Sequence, residues 1–329
     1  MDRCQAPRRD ISLLRELEPV VAKAVDAHLE SADDWYPHEY TPWSRGTDFD
    51  GVLGGTPWDP EQGTLHKAAR DGLVHNLLSE DNLPSYHRVI AELFTRDGAW
   101  GTWVNRWTVE EGRHSIAIRD YLMVTRAVDP VALENDRTAH VQNGWGMDYG
   151  DDVVASLVYV TLQELGTRVS YRNIKLQCGD AACEAMLNRI AKDENRHMLF
   201  YRTVLSAAMD LHPDRTVRAV ADVAASLRAP GHSAPGYARL AQSMARSGIY
   251  SPVTHYEEVL QPLVRFLGIF DASGLRPDGE QAREDLAAVL EHSAAQAARF
   301  ARIFESSATS SQARFTEQGC RSATLSAET

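Results

Sequence analysis

Two short stretches decide the fold of this chain, WTVEEGRH at positions 107–114 and AKDENRH at positions 191–197. Each contains an acid, a glutamate, a variable residue, an arginine and a histidine, and the two copies end at His114 and His197. Residues three apart share one face of a helix, so each glutamate and histidine can offer an oxygen and a nitrogen to one metal ion. One such pair is weak evidence, because Glu and His at this spacing usually form a surface pair. Two near-copies favour a shared function.

Apolar residues flank both copies at helical intervals, which predicts that each copy lies on a buried face. The two stripes are Trp100, Trp107, Glu111, His114 and Ile118, and Leu187, Ile190, Glu194, His197 and Tyr201. A carboxylate left uncompensated in such a stripe is costly, and a metal cation is the simplest compensation. The alternative is that the acids and histidines form ordinary surface ion pairs, with Arg113 and Arg196 as partners.

Two further acids lie on apolar faces at matching positions. Glu80 precedes Glu111 by 31 residues, and Glu164 precedes Glu194 by 30 residues. The order Glu, Glu-x-x-His, Glu, Glu-x-x-His is the ligand arrangement of carboxylate-bridged di-iron and di-manganese bundles. Four carboxylates would neutralise two divalent ions. Mixed oxygen and nitrogen ligands favour iron or manganese over structural zinc, but the spacing does not choose between iron and manganese.

Helical periodicity covers most of the chain, and no convincing alternating strand is present. The predicted helices span 13–30, 66–80, 85–95, 100–126, 130–141, 153–174, 181–209 and 214–227, with two or three more within 237–305. The β-branched run at 153–160 is the best strand candidate, but we interpret it as a buried helix. Residues 33–60 predict an ordered loop. We expect an all-α fold with one domain at residues 1–305 and a mobile tail at 306–329, because the tail has few large apolar groups.

Composition narrows the classes of function. The chain has 329 residues, of which 43% are hydrophobic and 24% charged, as in a globular protein. A net charge of −12 argues against a protein that coats nucleic acid. No apolar stretch approaches the roughly 20 residues of a membrane span, and the N-terminus does not resemble a signal peptide. Four scattered cysteines suggest no disulfide framework, so we expect a cytoplasmic protein.

The motifs also carry a family resemblance. WTVEEGRH, AKDENRH, LQELGTR at 162–168 and SEDNLPSYH at 79–87 occur in the order found in the soluble acyl-acyl-carrier-protein desaturases. The chain resembles the plant stearoyl type and especially its actinobacterial relatives, over roughly residues 10 to 300. DWYPHEYTPW at 34–43, WGTWVNRWT at 100–108 and RDYL at 119–122 add to the likeness.

The resemblance implies a ferritin-like helical bundle extended by further helices, commonly a homodimer. It also implies that two irons are bound by Glu80, Glu111, His114, Glu164, Glu194 and His197. Glu111 and Glu194 would be the bridging carboxylates. Every ligand position holds the expected residue type, which implies a working centre.

Three further residues take roles from the resemblance. Thr167 matches a family threonine beside the oxygen-binding side of the cluster, although a threonine often bonds only to its own helix. Trp35 and Asp193 match positions proposed to relay electrons through a ligand histidine. Asp193 would also hold that imidazole, as metal-bound histidines usually require. The alternative for Trp35 is core packing.

The implied reaction inserts a cis double bond into a fatty acyl chain carried on acyl carrier protein, with dioxygen as co-substrate and a ferredoxin-type electron donor. A long apolar channel beside the cluster would position the chain. The carrier is acidic, so it needs a local basic patch. The candidates are Arg168, Arg172, Lys175, Arg189, Lys192 and Arg196. Asn195 departs from the lysine often found there in plant-type members, which weakens this docking inference.

Two other functions remain open. One is a di-iron N-oxygenase or hydroxylase that acts on a carrier-tethered precursor in secondary metabolism. It usually needs an extra histidine ligand, for which His87 is the nearby candidate. The other is a ferritin-type storage protein, which the tryptophan-rich stripes disfavour.

Overall fold

The computed structural model describes residues 10–146, 149 and 152–325, without the side chains of 230, 231 and 305–325. Within this part of the chain the structure is helical, and no strand forms beyond one isolated bridge between Phe49 and Thr56. The predicted all-α class is therefore confirmed. The β-branched run at 153–160 lies within a buried helix, as predicted.

Twelve α-helices and one π-helix are described. They are α1 Ile11–Ser31, α2 Lys67–Asp81, α3 Leu83–Phe94, α4 Gly98–Val124, α5 Pro130–Asn143, α6 Val153–Cys178, α7 Ala181–Leu211, α8 Pro213–Ser226, α9 Tyr237–Arg246, α10 Pro252–Thr254, the π-helix His255–Leu260, α11 Gln261–Phe266 and α12 Pro277–Leu325. Short 3₁₀ turns occur at Pro37–Glu39, Trp43–Arg45, Pro60–Gln62 and Pro230–Ser233.

Aspartates define where the central helices begin. The side chains of Asp152 and Asp180 each accept two backbone N–H bonds in the first turn of α6 and α7. These bonds satisfy donors that have no partner within the helix. Gly179 follows α6 with a φ of +61°, a conformation that glycine adopts without strain. Gly179 and Asp180 therefore end one helix and start the next, which makes α6 and α7 an antiparallel hairpin.

Four helices form the centre of the molecule. α2 packs on α4 and α6, and α7 packs on the same two helices, so the four close a ring. α1 covers α4 and α7, while α8 lies on α6 and α7 and is itself covered by α12. The apolar interior divides into two clusters, one containing Trp103 and Leu157 and the other Leu77 and Ile118. A layer of buried polar side chains lies between these clusters, at the middle of α4, α6 and α7 and at the last turn of α2.

The long loop between α1 and α2 is ordered by Arg126. This buried arginine donates to the backbone carbonyls of Thr47, Asp48, Thr56 and Pro57, and its guanidinium lies 4.0 Å from the ring centroid of Phe49. The predicted ordered loop thus gains its fixed shape from a residue outside it.

The helix predicted over 13–30 corresponds to α1, which runs from Ile11 to Ser31 and contains Pro19. The division at residue 305 falls within α12, and the single domain at 1–305 with a tail at 306–329 stays a prediction. Residues 326–329 of that tail lie outside the described residues.

Among the described helices, none has both the length and the apolar character needed to cross a bilayer.

Candidate metal centre

The polar layer in the ring contains the six residues that the sequence singles out as ligands. α2 supplies Glu80, α6 supplies Glu164, and α4 and α7 each supply a Glu-x-x-His pair. All six are less than 9% exposed, and both histidines are fully buried. The members are Glu80, Glu111, His114, Glu164, Glu194 and His197.

These side chains form two overlapping groups, each with four ligand atoms that lie within 4.8 Å of one another. One group is Glu80, Glu111, His114 and Glu194. The other is Glu111, Glu164, Glu194 and His197. Glu111 and Glu194 belong to both groups, so these two carboxylates would be shared if each group held an ion.

The nitrogens of both histidines face the shared carboxylates. His114 Nδ1 lies 3.5 Å from Glu111 Oε2 and 3.4 Å from Glu194 Oε1. His197 Nδ1 lies 2.8 Å from Glu111 Oε1, 3.4 Å from Glu164 Oε2 and 3.9 Å from Glu194 Oε2. Each Nδ1 is therefore surrounded by carboxylate oxygens from several helices.

The donor set fits metal ions because its ligand atoms converge closely, and several of them form no hydrogen bond although they are buried. Glu111 Oε1, Glu194 Oε1 and the Nδ1 atoms of His114 and His197 are buried without a hydrogen-bond partner among the described residues. Buried polar atoms are normally paired, and an unpaired one is costly. Divalent cations would satisfy all four atoms at once, so these residues can hold metal ions.

The pKa values of the Glu and His side chains show that the site favours added positive charge. Burial, reinforced by the charge of Glu111, raises the pKa values of Glu80 and Glu164 well above the ordinary value. Burial opposes protonation of His114 and His197, but the surrounding carboxylates outweigh it and raise both pKa values. The clustered carboxylates thus favour bound protons, and metal cations could supply the same positive charge.

Neighbouring side chains orient one oxygen of Glu80 and one of Glu164, the two glutamates that each belong to a single ligand group. Tyr171 OH donates to Glu80 Oε1, and Trp107 Nε1 donates to Glu164 Oε1 over 3.0 Å. The sequence analysis placed Trp107 on an apolar stripe and missed both contacts, which join helices far apart in the chain.

Behind His114 lies Asp193. Its Oδ2 accepts a 2.7 Å bond from Trp35 Nε1 and stands 3.6 Å from His114 Nε2. The pKa of Asp193 is lowered to about 2, because His114 and Arg189 outweigh the effect of burial. Trp35 is 3% exposed and its ring stacks beside His114, with centroids 6.4 Å apart. The structure thus brings the proposed relay residues together, and their role in electron transfer stays a prediction.

Behind His197 lies Glu110, whose role the sequence analysis did not identify. Its Oε2 is 2.9 Å from His197 Nε2 and 2.9 Å from His28 Nε2, while Arg106 Nε donates to its Oε1 over 2.6 Å. The available signal was the repeat itself, because Glu110 occupies the position that Asp193 holds in the second copy. His28 ends the apolar stripe of α1.

A cavity of about 130 Å³ reaches the centre at Glu80. Thr167 lines it, and the threonine hydroxyl donates to the carbonyl oxygens of Gln163 and Glu164 at 3.1 Å each. Gly166 makes room for Tyr250, since a Cβ there would lie 3.1 Å from the phenol oxygen. The lining is mainly apolar and includes aromatic rings beside polar groups such as Asn76 and Ser170, and the long apolar channel that the resemblance implies stays a prediction.

His87 does not join either group of ligand atoms among the described residues. Its Nδ1 lies 2.8 Å from the hydroxyl of Thr108. The extra histidine ligand expected for an N-oxygenase is therefore not at His87.

Helices in a closed ring and two Glu/His groups that share carboxylates define a helical-bundle protein whose buried side chains could hold metal ions. Comparisons with known proteins then identify the family. A family model described as fatty acid desaturase matches residues 9–317. A Mycobacterium tuberculosis protein named as the acyl-acyl-carrier-protein desaturase DesA1 is 43% identical over 288 residues, 85% of each chain. The chloroplastic acyl-acyl-carrier-protein desaturase 7 of Oryza sativa is 28% identical over 316 residues, 87% of this chain and 76% of its own.

A solved structure agrees with these matches. The X-ray structure named as the acyl-acyl-carrier-protein desaturase DesA2 of Mycobacterium tuberculosis is similar with a TM-score of 0.68 and 32% identity. The similarity covers 82% of this chain and 99% of that chain. The chain belongs to the fatty acid desaturase family, and the predicted family and ferritin-like fold are confirmed.

Proposed function

We propose that this protein is a di-iron desaturase that inserts a cis double bond into a fatty acyl chain carried on acyl carrier protein. The observation that carries the proposal is the pair of overlapping ligand groups that share Glu111 and Glu194. Family membership favours desaturation over the N-oxygenase and storage alternatives. The names of the relatives support an acyl carrier protein as the substrate carrier.

The six buried Glu and His side chains would hold the two irons, and a bound di-iron pair supplies dioxygen activation and hydrogen abstraction from an unactivated methylene. The acyl chain loses two hydrogen atoms, and dioxygen becomes two waters with two protons and two electrons from outside. Tyr171 and Trp107 keep Glu80 and Glu164 oriented. The apolar clusters on both sides exclude bulk water.

The test is to load the metal-free protein with Fe(II) without oxygen, measure iron per chain, and then record the optical spectrum after adding oxygen. Incubation with acyl carrier proteins of different chain length, followed by mass spectrometry, should show loss of two hydrogen atoms. A folded protein that takes up no iron, or that takes it up and changes no acyl chain, would refute the proposal.

Electrons are proposed to come from a ferredoxin-type donor and to reach the centre through Trp35 and Asp193. The hydrogen bond from Trp35 to Asp193 and the stacking of Trp35 on His114 support this route. A homodimer and a cytoplasmic location also stay predictions of the sequence.

The carrier is proposed to dock on Arg168 and Arg172, one turn apart on α6. Neither forms an ion pair with another described residue, and Arg172 is exposed. Burial and the charges of Arg172 and Arg202 lower the pKa of Arg168. Two other candidates are unsuitable, because Arg189 and Arg196 turn inward and bind Asp33 and Asp193.

Replacing Arg168 and Arg172 together with glutamate should raise the KM for acyl carrier protein about tenfold and reduce its dependence on salt, since steering by unpaired charge acts on encounter. The kcat at saturation should change little. Arg88→Glu, an exposed charge reversal on α3, is the control. If the double variant and Arg88→Glu have equal KM values, Arg168 and Arg172 do not take part in docking.

Replacing Thr167 with valine should leave iron content unchanged and lower the ratio of product formed to oxygen consumed. Valine removes the hydroxyl from the cavity beside Glu80 while keeping the side-chain shape. Oxygen-electrode and product measurements on the same sample give the ratio. An unchanged ratio would show that the hydroxyl serves only its own helix.

A further inference from the structure

The two acids behind the histidines are exchanged between the motifs. Glu110 belongs to the α4 motif but contacts His197 of α7, whereas Asp193 belongs to the α7 motif and faces His114 of α4. The contacts differ in quality. Glu110 Oε2 is within hydrogen-bond distance of its histidine at 2.9 Å, but Asp193 Oδ2 stands 3.6 Å away from His114 Nε2. The half of the centre that contains His197 is therefore the more tightly oriented half.

The contact at Glu110 also sets which nitrogen carries a proton. An ionised carboxylate only accepts hydrogen bonds, so each nitrogen that faces Glu110 Oε2 must carry hydrogen. His197 then donates from Nε2 and leaves Nδ1 free to bind metal. His28 donates from Nε2 to the same oxygen, and its Nδ1 has no partner among the described residues.

His28 is itself held firmly. It is 5% exposed and lies edge-on to Trp103, with ring centroids 5.1 Å apart. Its ring stacks near His197 at 6.0 Å. Arg106 balances the charge of Glu110 from the opposite oxygen, so the buried carboxylate does not depend on His28 for its counter-charge. His28 instead orients the Glu110 carboxylate, because its N–H holds Oε2 in place.

We propose that His28 is a positioning residue for the half of the metal centre that contains His197, acting through Glu110 as Trp35 acts through Asp193 on the other half. The inference rests on the proposed function, since it assumes that the ligand groups bind a metal pair. Loss of His28 should leave Glu110 Oε2 free to rotate away and should loosen the imidazole of His197. Removing such an outer partner of a ligand typically costs about 10- to 100-fold in metal affinity.

The surroundings of His28 allow a chemical rescue. A surface groove of about 320 Å³ lies between α1 and α7 and is lined by His28, Lys23, Ser31, Arg196 and Phe200 among others. A free imidazole can therefore reach the space that His28→Ala opens. Rescue by added imidazole separates a missing hydrogen bond from general damage to the fold.

The experiment uses Co(II), which reports binding through its visible absorption, on wild type, His28→Ala and His28→Gln. Wild type should bind two ions. His28→Ala should bind one ion as wild type does and the other about tenfold more weakly. Added imidazole should restore the second, and His28→Gln, which keeps a donor, should fall between. His292→Ala, an exposed histidine on α12, serves as the control that should behave as wild type.

Proton NMR of the Co(II)-loaded protein tests which half responds. The exchangeable Nε2–H signals of the two ligand histidines are shifted by the metal. His28→Ala should alter one of them, and Trp35→Phe should alter the other. Two wild-type affinities in His28→Ala, or equal weakening of both ions without rescue by imidazole, would overturn the proposal. A wild type that binds no metal pair would instead refute the proposed function and this inference with it.

Discussion

Replacing Glu111 or Glu194 with alanine is expected to abolish the metal pair and all desaturation. Each side chain belongs to both ligand groups, so each substitution removes one ligand from both ions. Loss of a direct shared ligand should weaken metal binding by more than the roughly 100-fold upper cost of losing an outer partner. Iron per chain, measured after anaerobic loading and gel filtration, should fall below half of the wild-type content.

The comparison that makes this result specific is Glu184→Ala. Glu184 is an exposed acid on the same helix as Glu194, outside both ligand groups, and its removal should leave iron content and turnover unchanged. Glu80→Ala should be milder than Glu111→Ala, because Glu80 belongs to one group alone. Full iron content and turnover in Glu111→Ala or Glu194→Ala would show that the shared carboxylates do not bridge.

The second large effect is expected in the protein without metal, whose stability should fall as pH rises above about 6.5. Glu80, Glu164, His114 and His197 all have raised pKa values in the folded state. A group with a raised pKa stabilises the fold below its unfolded pKa and loses that contribution as pH rises through the folded pKa. The unfolded values are 4.5 for the glutamates and 6.5 for the histidines.

The acids of the centre with lowered pKa values do not oppose this trend in the same window. The pKa values of Glu110, Glu111 and Asp193 are depressed, so these acids are ionised in both folded and unfolded protein above pH 6.5. Outside the centre, a hydrogen bond with Cys183 lowers the pKa of the Cys178 thiol to about 7, which offsets the trend by at most one proton above that pH. Each proton that only the folded state holds contributes about 1.4 kcal/mol per pH unit to the loss. Metal ions replace these protons, so the loaded protein should show a much flatter dependence.

Urea unfolding at pH values from 6.5 to 8.5, with and without metal, measures both slopes. The metal-free protein should lose free energy of unfolding with each step in pH, whereas the loaded protein should lose little. Parallel curves for the two forms, or a metal-free protein that gains stability with pH, would contradict the buried charge balance described for the site.

The ligand set was predictable from the sequence because its geometry is local. Glu111 and His114, like Glu194 and His197, lie three residues apart on one helix, and helical spacing alone aligns them. Glu80 and Glu164 were found by the same reasoning, since each interrupts an apolar stripe. The structure places all six in one buried layer. Their role as iron ligands awaits the loading experiment.

The surroundings of the ligands were less predictable because they depend on contacts between distant segments. The bond from Trp107 to Glu164 joins residues 57 apart, and the contact of His28 with Glu110 joins residues 82 apart. Helical periodicity marks such residues as buried but does not tell which neighbour they meet. Two of the six basic candidates, Arg189 and Arg196, were misjudged for the same reason, because they bind Asp33 in the loop after α1. Side-chain direction on a helix depends on what packs against it.

The exchange of acids between the two motifs has a consequence for anyone who would redesign this centre. Although the two copies look like separable modules, each supplies the acid that contacts the histidine of the other copy, as well as a carboxylate that belongs to both ligand groups. Deleting one copy to leave a single-metal site would therefore remove the acid that orients the remaining histidine. A one-metal derivative would have to keep Glu110 and Asp193 in place and change only Glu80 or Glu164, the two acids that belong to a single ligand group.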